Sequence, residues 1–164
     1  MEKGFTYIEL VVVLGIIAIL AGGTVLSLFA YRGAQDLVFD TEGIVGVLRL
    51  AQEHAITGEA GAYWGVCFHG APASPGYYEL IKGTVCPAAP ADVASRVTLR
   101  SAVEFDESVS ENHFIFFDQI SGLPASVSPN RNVCIRRRGA SSGNKISVNA
   151  TGLLETASYT NPCL

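Results

Sequence analysis

Glu9 stands at the mouth of an apolar run. Lys3-Gly4-Phe5-Thr6-Tyr7-Ile8-Glu9 leads straight into twenty-one uncharged, mostly apolar residues, Leu10 to Ala30. A carboxylate carried to the centre of a bilayer costs roughly 2.5 to 3.5 kcal/mol even on permissive scales. Glu9 therefore calls for a positive partner, which a bare anchor would not need. Four cysteines, Cys67, Cys86, Cys134 and Cys163, could bind a metal or pair with one another. No Cys-x-x-Cys or Cys/His spacing favours metal, so neither metal nor cofactor is expected. All four follow the apolar run, and an even number in an oxidising compartment suits disulfides. Of the three connectivities, 67–134 with 86–163 is preferred, because Cys67 and Cys134 fall in predicted strands while Cys86 and Cys163 fall in a loop and the tail.

After residue 128 come five basic residues, Arg131, Arg136, Arg137, Arg138 and Lys145, against Glu155 alone. That segment carries +4 on a chain of net charge −4, leaving −8 on the first 128 residues. A local basic cluster can meet phosphates, which makes Arg136, Arg138 and Lys145 candidates for nucleic-acid contact. In a strand, Arg136 and Arg138 share one face and Arg137 takes the other. A charged edge strand kept from aggregating accounts for the same residues without DNA.

Enzyme readings find little. His54, His69 and His113 are dispersed, and Glu53-His54 has no second histidine at zincin spacing. Neither Gly-x-Ser-x-Gly nor a phosphate-cradling glycine loop is present. The chain is not expected to be an enzyme. Glu104, Asp106, Glu107 and Glu111 read as a solvated acidic loop, since no alternating oxygen-ligand loop points to calcium. Asn149-Ala150-Thr151 fits a glycosylation sequon. Tyr63, Trp64, Tyr77, Tyr78 and the run Phe114 to Phe117 read as core and cross-strand packing rather than a base-stacking platform.

These residues need elements to position them. About 20 helical residues at roughly 1.5 Å each match a hydrocarbon core, so Leu10 to Ala30 is long enough to span. Four residues precede Phe5, with no multi-residue basic segment and no Ala-x-Ala site, unlike an ordinary signal peptide. Gly22-Gly23 marks a weak point in the helix. Leu37, Val38, Thr41, Ile44, Val45, Leu48, Ala51, Ala55 and Ile56 recur at three- and four-residue spacing, which continues the helix as an amphipathic one. Gly58 offers its C-cap, and a helix from Phe5 to Thr57 would be about 80 Å long. Gly33, Gly43 and Gly46 weigh against its continuity.

From residue 58 the period falls to two. Ala62 to Phe68 and Tyr77 to Lys82 flank a loop from Gly70 to Gly76 and read as a hairpin. Further strands are expected at Arg96 to Ser101, His113 to Phe117, Val133 to Arg138, Lys145 to Val148 and Leu153 to Glu155. The expected class is α+β: a long N-terminal helix followed by a small antiparallel β-sandwich head of about seven strands.

Gly4-Phe5-Thr6-Tyr7-Ile8-Glu9-Leu10 followed by Val11 to Ala21 resembles the class III signal of type IV prepilins and type II secretion pseudopilins. The resemblance implies a leader at 1–4, a transmembrane and polymerisation helix at 5–30, its amphipathic continuation at 31–57 and a head at 58–164. It implies that a prepilin peptidase cuts between Gly4 and Phe5 and methylates the new amine of Phe5. It also implies that Glu9 meets the Phe5 amine of a neighbouring subunit during assembly. Pairing makes a buried carboxylate tolerable and sets axial register. The positive-inside signal is thin, because Glu2 offsets Lys3 and Arg32 lies beyond the run. The resemblance itself places the chain in the inner membrane, single-pass, with the head outside the cytoplasm. The helix-kinking proline found near Leu26 in many major pilins is missing.

Leu48 to Ile56, Phe114 to Asp118 through Gly122, and Lys145 to Val148 with Thr151-Gly152 resemble the H-type minor pseudopilins and FimT-like minor pilins. Members of that group help start filaments or meet cargo near the tip, and some take up DNA through a basic C-terminal region. Their Gly-Arg-x-Arg type motif is absent here, with Gly152-Leu153-Leu154-Glu155 in its place. The partners implied are the peptidase, other pilin subunits and the inner membrane, with DNA as the alternative.

Overall fold

The computed structural model describes residues 6–70, 75–86, 89–106, 113–126, 131–160 and Cys163; the side chains of residues 22–30 fall outside that description. The chain divides between Gln35 and Asp36 into two compact units.

Helix α1 runs from Tyr7 to Ile56, 50 residues. Gly33, Gly43 and Gly46 do not interrupt it. In the second unit its stripe Ile44, Leu48, Ala51 and Ala55 is fully buried, at steps of four, three and four. Burial of each large apolar side chain of this stripe contributes roughly 1.5 to 3 kcal/mol, which outweighs the two glycines. Gly43 is there for a steric reason: a Cβ at this position would lie 2.8 Å from the Tyr78 hydroxyl. The helix ends as expected, with Gly58 at φ 65° donating to the Ala55 carbonyl.

Eight strands follow, β1 Trp64–His69, β2 Tyr77–Lys82, β3 Val93–Thr98, β4 Val103–Phe105, β5 His113–Phe117, β6 Asn132–Arg137, β7 Ser142–Val148 and β8 Leu154–Thr160. They form two four-stranded antiparallel sheets, ordered β3-β2-β1-β5 and β4-β6-β7-β8. The expected hairpin is present, with His69 opposite Tyr77 and Trp64 opposite Lys82. Trp64, Val66, Phe68, Tyr78, Leu80, Ile115 and Phe117 of the first sheet share one buried cluster with Val103, Val133, Ile135, Ile146 and Val148 of the second. The stripe of α1 lies in that same cluster, so the helix is a partner in the core of both sheets.

Three expectations are corrected. Arg96 to Ser101 is not one strand: the chain leaves the first sheet at Leu99, whose N–H donates to the Gly76 carbonyl, turns at Arg100, and enters the second as β4. β8 extends to Thr160 although five of its seven residues are exposed and show no alternation; its ladder with β7 defines it. The disulfides are Cys67–Cys86 and Cys134–Cys163, not 67–134 with 86–163. Pleating explains this. Val66 and Phe68 face the shared core, so Cys67 between them faces away, and the same holds for Cys134 between Val133 and Ile135. Cysteines on opposite outer faces cannot meet.

Candidate functional site

Gly4 and Phe5 lie outside the described residues. Glu9 sits in the first turn of α1 with its side chain exposed, where a carboxylate interacts favourably with the helix dipole. The large apolar side chains from Tyr7 to Leu20 are 46–83 % exposed. A contiguous apolar surface of this extent exceeds what a soluble monomer ordinarily presents, and marks an interaction surface. Among the described residues no helix is long and apolar enough to cross a membrane. Nine of the twenty-one residues of the sequence run, 22–30, have no described side chains.

Polar contacts hold the second half of α1 on the sheets. Asp40 accepts from Arg100, Thr41 Oγ1 accepts from Asn144 Nδ2 at 2.9 Å, and Gln52 Nε2 donates to the carbonyls of Gly122 and Gly152 at 2.8 and 3.1 Å. Gln52 thereby ties together the turn after β5 and the β7–β8 connection. Asn149 shapes that connection, its Oδ1 accepting the N–H groups of Thr151 and Leu153. Gly152 at φ 80° completes it.

The basic cluster meets acidic partners, with Arg136 and Arg138 both at Glu104. Arg136 is directly opposite Glu104, donates to it from Nε at 3.0 Å, and lies 3.4 Å from Asp106 through Nη1. Its side chain is 14 % exposed. Asp106 is buried and also accepts from the Tyr159 hydroxyl at 2.7 Å. Burial, then the hydrogen bond to Asp106 and the charge of that carboxylate, push Tyr159 above the usual phenol range. Glu104 and Asp106 are therefore internal partners of an arginine, not a solvated loop; Glu107 and Glu111 lie outside the described residues. Arg138 is half-exposed at 4.0 Å from Glu104, and Lys145 lies on β7 opposite Cys134. The Arg136 guanidinium thus meets two carboxylates, Glu104 and Asp106.

The outer face of the first sheet holds a cluster that sequence reasoning missed. Cys67 and His69, two apart on β1, lie opposite Glu79 and Tyr77 on β2. His69 Nε2 lies 3.2 Å from Glu79, which is 3 % exposed and also pairs with Arg96 at 2.6 Å. Tyr77 stacks on His69 at 4.3 Å, and the Arg96 guanidinium lies over the Tyr77 ring at 4.8 Å. Ligand atoms of Cys67, Cys86 and His69 lie within 4.8 Å of one another. The two sulfurs form the disulfide, so they offer no thiolate to a metal. The signal was available: hairpin register alone brings 67 to 79 and 69 to 77.

His54 pairs with Glu59 and stacks on Trp64 at 4.5 Å, which secures the chain just past the helix. His113 is buried, and among the described residues its Nε2 has no partner. Burial lowers its pKa below the ordinary 6.5. A groove of about 600 Å³ runs between the outer side of α1, at Val38, Glu42, Val45 and Arg49, and the edge strand β8.

The chain is similar to the Pseudomonas aeruginosa type IV minor pilin FimU, with a TM-score of 0.55 over 77 % of this chain and 92 % of that one, at 15 % identity. The fold is pilin-like. A second crystal form of FimU gives a TM-score of 0.50 over 71 % of this chain and 88 % of that one, again at 15 % identity. No family model and no curated protein matches the chain significantly. Similarity at this identity establishes the pilin-like fold and leaves subtype to other arguments.

Proposed function

We propose that this chain is a minor pilin or pseudopilin, a structural subunit that enters a filament through α1. The observation that carries the reading is the continuous exposed apolar surface of α1 from Tyr7 to Leu20, borne by a pilin-like fold. In this reading Leu10 to Ala30 holds the precursor in the inner membrane, with the head outside the cytoplasm. The prepilin peptidase cuts after Gly4, and Phe5 becomes the methylated N-terminus. Glu9 then docks on the Phe5 amine of a neighbour as the helix leaves the bilayer, since a carboxylate in apolar surroundings is tolerable only when paired. The motifs at Leu48 to Ile56 and Phe114 to Asp118 favour the H-type, FimT-like subgroup. Its task is structural, without cofactor or catalysis, and its partners are other pilin subunits.

Two measurements test this. Mass spectrometry of protein purified from membranes should find an N-terminal N-methylated Phe5 in wild type and an uncut chain when Gly4 is replaced by a bulky residue. Glu9→Ala should be processed normally yet be depleted from sheared filaments. Equal incorporation of Glu9→Ala and wild type would remove the docking role.

A further inference from the structure

We propose that Cys67–Cys86 is an exchangeable disulfide at which a solvent-borne thiol forms a mixed disulfide with Cys86, while His69 supplies the proton needed by the departing Cys67 sulfur.

Access separates the two disulfides. Cys134 is fully buried and Cys163 is 9 % exposed, so both residues of that pair are buried. Cys67 is likewise fully buried, whereas Cys86 is half-buried, in the segment after β2. Thiol–disulfide exchange needs an attacking thiolate to reach a sulfur in line with the bond, and its rate rises as the leaving sulfur is better stabilised. Cys86 is the most exposed residue of the four, and attack on its sulfur makes Cys67 the leaving group.

The leaving site is equipped for that. A ring nitrogen of His69 lies within 4.8 Å of both sulfurs. The ring is held in place by Glu79 at 3.2 Å and by Tyr77 stacked at 4.3 Å, and Glu79 is itself fixed by Arg96 at 2.6 Å. A titratable group so oriented can act as a general acid. Lys145 lies opposite Cys134 in register, so a nearby cationic group alone does not distinguish the pairs; access combined with the placed imidazole does.

The step balances. An external thiolate bonds to the Cys86 sulfur, the Cys67–Cys86 bond breaks, and its electron pair goes to the Cys67 sulfur, which takes a proton from the His69 imidazolium. The products are a mixed disulfide on Cys86 and a thiol at Cys67. A second external thiolate attacking the mixed disulfide frees Cys86 and leaves the external thiol as its own disulfide, a two-electron reduction. Exchange releases the segment after β2 from β1, or leaves a thiol-bearing molecule covalently held on the outer face of the first sheet.

Full-length protein treated with reduced glutathione, quenched with an alkylating agent and mapped by mass spectrometry tests this. Glutathione should appear on Cys86, the alkyl group on Cys67, and Cys134–Cys163 should open at least about tenfold more slowly. His69→Ala should slow glutathionylation of Cys86 at least about tenfold, given the 10²–10⁴-fold typical of placed acids and bases, and leave Cys134–Cys163 unaffected. If Trp64 fluorescence reports that this variant is unfolded, His69→Phe, which preserves the stack on Tyr77, provides the comparison. Equal opening of the two disulfides, or glutathione on Cys67, would overturn the site. An unchanged rate in the folded His69 variant would overturn the role of His69.

Discussion

Asp40 of α1 accepts twice from Arg100: the backbone N–H reaches Oδ2 at 3.0 Å and the guanidinium Nη1 reaches Oδ1 at 2.5 Å. Arg100 stands where the chain leaves the first sheet for the second, so this one carboxylate fixes the crossing against the helix. Phe39 lies under the guanidinium at 5.1 Å, and Asp36 flanks it at 3.5 Å.

Asp40→Ala should cost about 2 kcal/mol, because a buried acceptor of a backbone N–H is lost along with the ion pair. Asp40→Asn, which can still accept the backbone bond, should cost about 1 kcal/mol, since the half-exposed Arg100 is partly screened. Urea denaturation of the two variants separates these contributions; equal losses would mean that the backbone bond is worth nothing.

Two glycines one helical turn apart should respond with opposite sign. Gly43→Ala places a methyl group against the Tyr78 hydroxyl and should destabilise by about 1 to 3 kcal/mol through overpacking. Gly46→Ala meets nothing within 4 Å and should stabilise by about 0.5 to 1 kcal/mol, as glycine is replaced in a helix interior. Thermal melts of both variants give the comparison, and a shift of the same sign in each would contradict the packing described for α1.

Alkaline conditions should weaken the head. Burial, reinforced by the charge of Asp40 and opposed by Arg100, pushes Tyr78 up to about 12 from 10.0. A raised folded-state pKa contributes stability that is fully present below pH 10 and is lost as pH climbs from 10 to about 12. Tyr159 shifts in the same direction. The fall in stability over that range should be shallower in Tyr78→Phe, and shallower again when Tyr159→Phe is added; unchanged slopes would show that neither phenol titrates with unfolding.

The acid limb should report His113. Its folded pKa lies below 6.5 because burial disfavours the imidazolium, so its contribution is present above pH 6.5 and is lost as pH falls through the folded value. His113→Phe keeps the ring beside Phe68, 5.7 Å away, and removes the unpartnered Nε2. It also removes the hydrogen bond with the Asn132 backbone, so it should lower stability at neutral pH by up to about 1 kcal/mol and flatten the decline beginning below pH 6.5. A wild-type decline that persists unchanged in the variant would assign it to other groups.

Much of the architecture was readable along the chain because it is periodic. The stripe Ile44, Leu48, Ala51 and Ala55, the stop at Gly58 and the β1–β2 hairpin all follow from local spacing and turn chemistry. β4 and the full length of β8 were not readable. Val103–Phe105 is three residues long, and its neighbour β6 begins almost thirty residues later. β8 is an exposed edge whose residues carry no alternation. In both cases hydrogen bonds to a distant strand define the element, and no window of the sequence holds them.

The same division holds for the chemistry. By itself the sequence determined the run from Lys3 to Ala30 with Glu9 at its mouth, because hydropathy and charge are properties of adjacent residues. It also determined that four cysteines follow that run, in even number. Only the tertiary structure decided how they pair, since pleating turns Cys67 and Cys134 away from the core that lies between their strands. It decided as well that Arg136 belongs to Glu104 and Asp106, and that His69 stands beside a disulfide. Charge counted along a chain takes no account of the partner that strand register places opposite each residue.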